Sequence, residues 1–114
     1  MISQLHGLVI LIGPPGAGKS TFARGLVARG VIDEAAWMSN DRLAIEMFGD
    51  ALDRALHDSY IFAEQDRRIS DRLANGLVTV VDATNVRSEA RSRLIALAEP
   101  HGQTVTAIRF TIDD

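Results

Sequence analysis

The 114-residue sequence contains no cysteine, so disulfide bonds and thiolate chemistry are excluded. It has no apolar run near the roughly 20 residues that a membrane-spanning helix needs. The longest apolar run, Leu8–Ile12, has the length of a strand. The sequence also lacks the basic segment and the small-residue cleavage site of a signal peptide at its start. We therefore expect a cytoplasmic protein with no membrane partner.

An excess of basic residues is absent as well. The net charge is −3, whereas domains that coat nucleic acid are usually basic. Of the twelve basic residues only Lys19 is a lysine, and the other eleven are arginines. A compositional bias toward arginine explains this ratio. A lysine that persists against such a bias marks a position where a compact ammonium differs from a planar guanidinium.

Short β-like runs alternate with segments of helical periodicity, a pattern typical of an α/β fold with a mostly parallel sheet. The strands are predicted at 7–12, 35–38, 77–81 and 104–110. The helices are predicted at 19–29, from Ser39 or Asn40 to Gly49, at 51–75 and at 88–99. On the helix at 51–75 the spacing places Leu56, Phe62 and Ile69 on the buried face. Since the sequence shows no repeat or linker, we expect one domain spanning 1–114.

The segment 13–21, GPPGAGKST, contains a complete G-x-x-x-x-G-K-[ST] motif between a predicted strand and a predicted helix. Its glycines let backbone N–H groups approach a phosphate without a Cβ in the way, and the helix start adds its positive dipole end. Lys19 is expected to reach the β- and γ-phosphates, Ser20 to ligate Mg²⁺ and Thr21 to contact the α-phosphate. The motif therefore predicts binding of ATP and Mg²⁺. The residues assigned to the nucleotide are Gly13, Gly16, Ala17, Gly18, Lys19, Ser20, Thr21 and, farther along the chain, Asn85.

Two aspartates follow predicted strands. Asp82 comes directly after the apolar run 78–81, so it is expected at the carboxyl end of a buried strand, where it holds Mg²⁺ directly or through water. The alternative is an Asp82 that only caps the following turn. Asp41 follows the second predicted strand and is the candidate general base toward an acceptor hydroxyl, because ligands of open α/β sheets bind outside these strand ends. The alternative for Asp41 is an acid in the first turn of a helix, where it favours the dipole.

Three segments together, GPPGAGKST at 13–21, SND at 39–41 and VVDATN at 80–85, resemble the kinase domain of bacterial polynucleotide 5′-hydroxyl kinase-phosphatases. They are also similar to the wider group of small ATP-binding P-loop kinases, often labelled AAA-family ATPases. The resemblance runs from Leu8 to about Ile112. It implies a three-layer P-loop fold with strand order 2-3-1-4. It also implies Lys19 and Asp41 as catalytic residues, with Ser20 and Asp82 at the metal.

The sequence departs from that family in two places. Family members usually carry an arginine three residues after the base aspartate to hold the acceptor phosphate, and Ala44 stands there. They also continue past the fourth strand into a lid helix with arginines and a fifth strand, both missing from these 114 residues. The arginines at 87, 91 and 93 are spaced as on a solvated helix face. We therefore expect a fragment, or a protein that a partner or self-association through the fourth-strand edge completes.

These features leave three functions open. The first is a kinase that transfers the γ-phosphate of ATP to a polynucleotide 5′-hydroxyl. The second is a kinase for a small metabolite. The third is a nucleotide-binding module that needs a partner and is not itself an enzyme. Without an arginine over the developing phosphoryl charge, which contributes about 10³- to 10⁵-fold in rate, binding is expected to survive and turnover to be poor.

Overall fold

The computed structural model describes residues 5–83 and 88–111. All eight predicted elements are present, with bounds that differ from the predicted ones by up to three residues. The strands are β1 Leu8–Ile12, β2 Trp37–Ser39, β3 Thr79–Ala83 and β4 Val105–Arg109, and the helices are α1 Lys19–Ala28, α2 Asn40–Phe48, α3 Arg54–Ala74 and α4 Ser88–Ala98. The largest shift is at α3, which begins three residues late because a 3₁₀ turn occupies Gly49–Ala51. Asp53 then caps the helix, its side chain accepting a hydrogen bond from Leu56 N.

The four strands form one parallel sheet in the order β2-β3-β1-β4, which confirms the predicted order. β1 lies between β3 and β4, so the strand that leads into the glycine-rich loop adjoins the strand that carries Asp82. The register pairs Asp82 with Leu11 on one side and with Ser39 on the other. Three chain segments that the sequence predicts to carry chemistry therefore meet at the carboxyl edge of the sheet.

Helices cover both faces of the sheet, which confirms the three-layer α/β fold. Successive residues of a strand point to opposite faces. Leu8 and Ile10 accordingly pack with α3 and α4, while Val9 and Leu11 pack with α1. Because β1 is apolar on both sides, it is buried on both sides, as the central strand of a parallel sheet usually is.

The buried face of α3 differs from the predicted one. Leu56 is 64% exposed, although the spacing places it on the buried face. The buried stripe consists of the residues at successive four-residue steps, Ile61, Gln65, Ile69 and Leu73. The reason is that α3 packs against α2 through Ile61 before it reaches the sheet, and Leu56 lies on another side of the helix. Although α3 has 21 residues, no helix in the described part of the chain is long and apolar enough to cross a membrane.

β4 lies at the edge of the sheet and pairs only with β1 among the described residues. Its side chains are half-buried at Val105 and Ile108 and exposed between them. An unpaired strand edge presents backbone N–H and C=O groups to other chains. Self-association or partner binding through this edge stays a prediction.

A surface network on α3 makes the first testable prediction. Glu64 accepts hydrogen bonds from Arg67 and Arg68 at 2.7–2.8 Å, and these arginines lower the pKa of Glu64 from 4.5 to about 2. Because the folded-state pKa is depressed, the contribution of Glu64 to stability is fully present above about pH 4.5 and is lost as pH falls toward 2. Glu64→Gln should therefore lower Tm at pH 7 and have little effect near pH 2.5, measured by thermal melts across pH.

The matched control is Glu99→Gln, which removes a glutamate that has no ion pair among the described residues. Its difference from the wild type is expected to change less between the two pH values. A Glu64→Gln difference that stayed constant with pH would contradict the charged contact. Added salt should shrink the difference at pH 7, because exposed ion pairs are screened.

Candidate functional site

The glycine-rich loop joins β1 to α1, and two of its glycines have backbone angles that other residues rarely adopt. Gly16 has φ 81° and Gly18, the residue before α1, has φ 99°. A Cβ on either would meet no atom within 4 Å, so the backbone conformation and not the space requires glycine. Gly13 is required for a different reason, because its Cβ would lie 2.7 Å from Phe110 O at the end of β4.

Two alanine substitutions on this segment should have opposite effects. Gly18→Ala forces a left-handed conformation on alanine, at about 1–2 kcal/mol, and is expected to lower both Tm and ATP affinity. Gly25 lies inside α1 with open space around the Cβ position. Gly25→Ala should therefore raise the free energy of unfolding by about 0.5–1 kcal/mol, raise Tm accordingly and leave ATP affinity unchanged. Thermal melts with and without MgATP measure both. Equal effects of the two changes would contradict a conformational role of Gly18.

Lys19, the first residue of α1, is held inside the loop. Its Nζ donates to Gly13 O at 2.6 Å and to Pro14 O at 2.9 Å, and it lies 4.0 Å from Asp82 Oδ1. The side chain is only 5% exposed. A compact ammonium with three donors satisfies two carbonyls and still has one N–H for a third acceptor. Lys19 is thus a buried cation at the place where the sequence predicts the phosphates.

Ser20 and Asp82 come together across the sheet edge, Ser20 Oγ donating to Asp82 Oδ2 at 3.3 Å. Burial raises the pKa of Asp82, while the charge of Lys19 and the hydrogen bond from Ser20 oppose that rise. The described residues contain no cluster of three histidine, aspartate or glutamate side chains fit for a metal. A hydroxyl and a carboxylate nevertheless suit Mg²⁺, which takes few protein oxygens and fills its shell with phosphates and water.

Asp41 lines the same cavity, of about 1190 Å³, as Lys19, Ser20 and Asp82. It stands in the first turn of α2, where Ser39 caps the helix by accepting a hydrogen bond from Arg42 N at 3.1 Å. Asp41 is 84% exposed and accepts a 2.9 Å hydrogen bond from Arg54 Nη1. Both aspartates predicted to carry chemistry therefore face one cavity.

The other nucleotide residues are placed as follows. Gly16, Gly18 and Thr21 line the cavity, while Gly13 and Ala17 belong to the loop without lining it. Asn85, predicted to contact the nucleotide, lies outside the described residues.

Several cavity residues were not identified from the sequence. Arg54 is one of them. Besides its hydrogen bond to Asp41, its guanidinium donates through Nε to Asp58 at 2.8 Å. Arg93, predicted on a solvated helix face, is 39% exposed, and the structure adds that its side chain lines the cavity and donates to Asp66 Oδ2 at 3.4 Å. Gln65 is another, and its position between Ile61 and Ile69 was the available signal, a polar residue at helical spacing in an apolar stripe.

The comparisons with known proteins agree with this fold. A family profile described as AAA domain matches residues 8–114. The chain belongs to this AAA-domain family. The P-loop kinase fold predicted from the sequence is thereby confirmed, and such a fold uses ATP.

Three proteins similar to this AAA domain define how far the likeness extends. A chain in the structure of the Pnkp1/Rnl/Hen1 complex is 25% identical with a TM-score of 0.75, covering 99% of this chain and 38% of that one. The APS kinase CysC of Mycobacterium tuberculosis is 23% identical with a TM-score of 0.59, covering 92% and 75%. The CD-NTase-associated protein 6 of Pseudomonas aeruginosa is 54% identical over 28 residues, which are 25% of this chain and 9% of that protein. The AAA domain thus spans well under half of the first and last of these proteins.

Proposed function

We propose that this AAA domain is a Mg²⁺-dependent kinase that transfers the γ-phosphate of ATP to a hydroxyl, with a polynucleotide 5′-hydroxyl as the acceptor. One observation carries the proposal: the loop lysine, the Ser20–Asp82 pair and Asp41 all face a single cavity. Phosphoryl transfer requires little more than a phosphate cradle, neutralised charge and an oriented acceptor. The cavity offers a group for each of these tasks.

The phosphates of ATP are assigned to the loop and to the start of α1, where backbone N–H groups and the helix dipole favour anions. Lys19 exchanges its carbonyl partners for phosphate oxygens, since an ammonium bonds a charged acceptor more strongly than a neutral one. Ser20 and Asp82 are the residues that hold Mg²⁺. When bound there, the metal supplies neutralisation of charge on the β- and γ-phosphates.

Asp41 is assigned as the general base. Asp41 takes the proton of the acceptor hydroxyl as the acceptor oxygen bonds to the γ-phosphorus. The bond between the γ-phosphorus and the oxygen that bridges the β- and γ-phosphates breaks, and ADP is released. An exposed carboxylate at the cavity mouth is accessible to an incoming hydroxyl. As the acceptor enters, the hydrogen bond from Arg54 to Asp41 must weaken. The hydrogen bond from Arg54 to Asp58 keeps the arginine in place.

The polynucleotide acceptor is supported by the similarity to a chain of the Pnkp1/Rnl/Hen1 complex over 99% of this chain. A small acceptor is the second candidate, and one observation favours it. Two arginines of α3 are held in ion pairs, Arg67 with Glu64 and Arg68 with Glu64 and Glu46. These two arginines are therefore already paired and do not offer unpaired positive charge to the phosphates of a long strand. The fold similarity to an APS kinase is compatible with this candidate.

A transfer assay with different acceptors distinguishes these functions. The purified chain is incubated with γ-³²P-labelled ATP, Mg²⁺ and either a 5′-hydroxyl oligonucleotide or a panel of sugar acids and nucleosides. Label on the oligonucleotide supports the polynucleotide kinase, and label only on a metabolite supports the second candidate. MgATP binding without transfer to any acceptor would instead indicate a nucleotide-binding module that needs a partner.

A further inference from the structure

The buried stripe of α3 has one polar position. Ile61, Ile69 and Leu73 are fully buried, and Gln65, at the same spacing, is only 4% exposed. Its Oε1 has no hydrogen-bond partner among the described residues. A buried amide without a partner destabilises a fold, whereas an apolar side chain of similar size at this position would continue the core. The described residues therefore give no structural reason for a glutamine at this position.

Gln65 borders the cavity that contains the reaction groups. On this side the cavity is lined by Phe62 of α3, by Val81 and Asp82 of β3, and by Leu94 of α4. This side of the cavity therefore combines apolar side chains with a few polar ones, Gln65, Asp82 and Arg93. Such a surface matches the usual composition of a small-molecule subsite, apolar walls with a few placed polar groups.

The position of Gln65 points to the acceptor and not to ATP. α1, whose start is assigned to the phosphates, lies on the opposite face of the sheet from α3 and α4. Gln65 follows Ile61 by one helical turn, and Ile61 packs against α2, the helix whose first turn carries Asp41. A group that contacts Gln65 thus lies on the side of the cavity where α2, α3 and β3 meet, and Asp41 lines the same cavity.

We propose that Gln65 recognises the acceptor: a half-turn about the last side-chain torsion brings its carboxamide oxygen, covered in the free chain, to the cavity, where it accepts a hydrogen bond from an O–H or N–H group on the terminal unit of the acceptor. This inference rests on the proposed function. The ligand group is expected to be neutral, because a carboxamide has no charge to pair with a charged group and can accept from a neutral O–H or N–H. In a 5′-hydroxyl RNA end the donor comes either from the 2′-hydroxyl of the first ribose or from an N–H of its base.

The test is Gln65→Met, which keeps the length of the side chain and removes both polar atoms. A residue kept for a ligand should give a more stable and less active enzyme. We expect Tm to rise by about 4 °C, since an unsatisfied buried group is removed. We expect kcat/KM for a 5′-hydroxyl RNA oligonucleotide to fall by about tenfold, with Kd for MgATP unchanged.

Two altered acceptors identify the donor. One RNA oligonucleotide carries a 2′-deoxy terminal residue, and the other carries an abasic terminal residue. The acceptor that lacks the donor should be used equally well by the wild type and by Gln65→Met, while the other should keep the tenfold difference. A full difference with both acceptors would overturn the assignment to the terminal unit.

Gln103→Met is the matched control. Gln103 Nε2 donates to Leu73 O at 3.1 Å, so this glutamine has a structural partner and does not line the cavity. Its replacement should lower Tm and leave acceptor kinetics unchanged, the reverse of the pattern at Gln65. A lower Tm with unchanged acceptor kinetics in Gln65→Met would overturn the inference and make Gln65 a structural residue.

The failure of the proposed function is a separate result. If the wild type transferred phosphate to no oligonucleotide, the polynucleotide assignment would fall. The Tm of Gln65→Met would then test the role of Gln65. A rise in Tm supports a residue kept for a ligand, and a fall overturns that inference. A changed Kd for MgATP in Gln65→Met would also overturn it, because the glutamine would then serve the nucleotide. Gln65→Leu repeats the comparison should the methionine variant fold poorly.

Discussion

Lys19→Met is expected to lower phosphoryl transfer by about 10²- to 10³-fold, the usual effect of removing a group that stabilises charge in a transition state. Methionine preserves the length and the apolar stem of the side chain and removes the ammonium. In the structure that ammonium is buried and bonded to Gly13 O and Pro14 O, so it already stands among the loop atoms that are assigned to the phosphates. MgATP affinity should fall as well, measured by titration calorimetry beside single-turnover transfer.

The control for this change is Arg29→Met, which removes an exposed cation at the end of the same helix, α1. Neither ATP affinity nor transfer should change there. Wild-type ATP affinity and transfer in Lys19→Met would remove the basis of the nucleotide assignment. Thermal melts show whether the variant is folded. Some fall in Tm is expected, because Gly13 O, Pro14 O and the Asp82 carboxylate lose the ammonium as a partner, and only a folded Lys19→Met tests the role of the ammonium in transfer.

Asp41→Asn is expected to lower transfer by about 10²- to 10⁴-fold, the range for the loss of a general base. Affinity for MgATP should stay close to that of the wild type, because Asp41 stands on α2 and not in the loop. Asparagine retains the shape of aspartate and an oxygen that accepts the hydrogen bond from Arg54, so the local structure should persist. Rates of transfer at saturating ATP and acceptor, together with calorimetry, measure both quantities.

Asp58→Asn is the matched control. Asp58 is the second carboxylate on the same guanidinium, at 2.8 Å from Arg54 Nε, and it does not line the cavity. Both variants remove one negative charge beside Arg54, but only Asp41→Asn removes the proposed base. Comparable losses in the two would show that Arg54 and its pairing, and not a base at position 41, account for the effect. A loss of ATP binding in Asp41→Asn would also contradict the assignment.

Prediction from the sequence was most accurate where local pattern decides the structure. Alternating apolar runs and helical spacing predicted the eight elements, and the motif at 13–21 predicted the glycine-rich loop, in which the structure gives Gly16 and Gly18 positive φ. The strand order followed from the family resemblance and is confirmed. These features depend on backbone preferences and on period, which single residues and their neighbours encode.

Prediction was least accurate where two helices meet. The stripe on α3 was misplaced near Leu56, because packing against α2 selects the buried side of that helix, and no periodicity in α3 alone contains this information. The cavity contact of Arg93 was missed for a related reason. Its environment depends on Asp66 and on the cavity, both of which lie on other parts of the fold.

The sequence by itself determined the P-loop, the α/β class and the candidate groups Lys19, Ser20, Asp41 and Asp82, because each is marked by its neighbours along the chain. Only the tertiary structure decided that these groups share one cavity, that Arg54 pairs with Asp41 and that Gln65 borders the site. Such relations join residues far apart in the sequence, and the sheet register and helix packing that fix them arise from burial of many side chains at once.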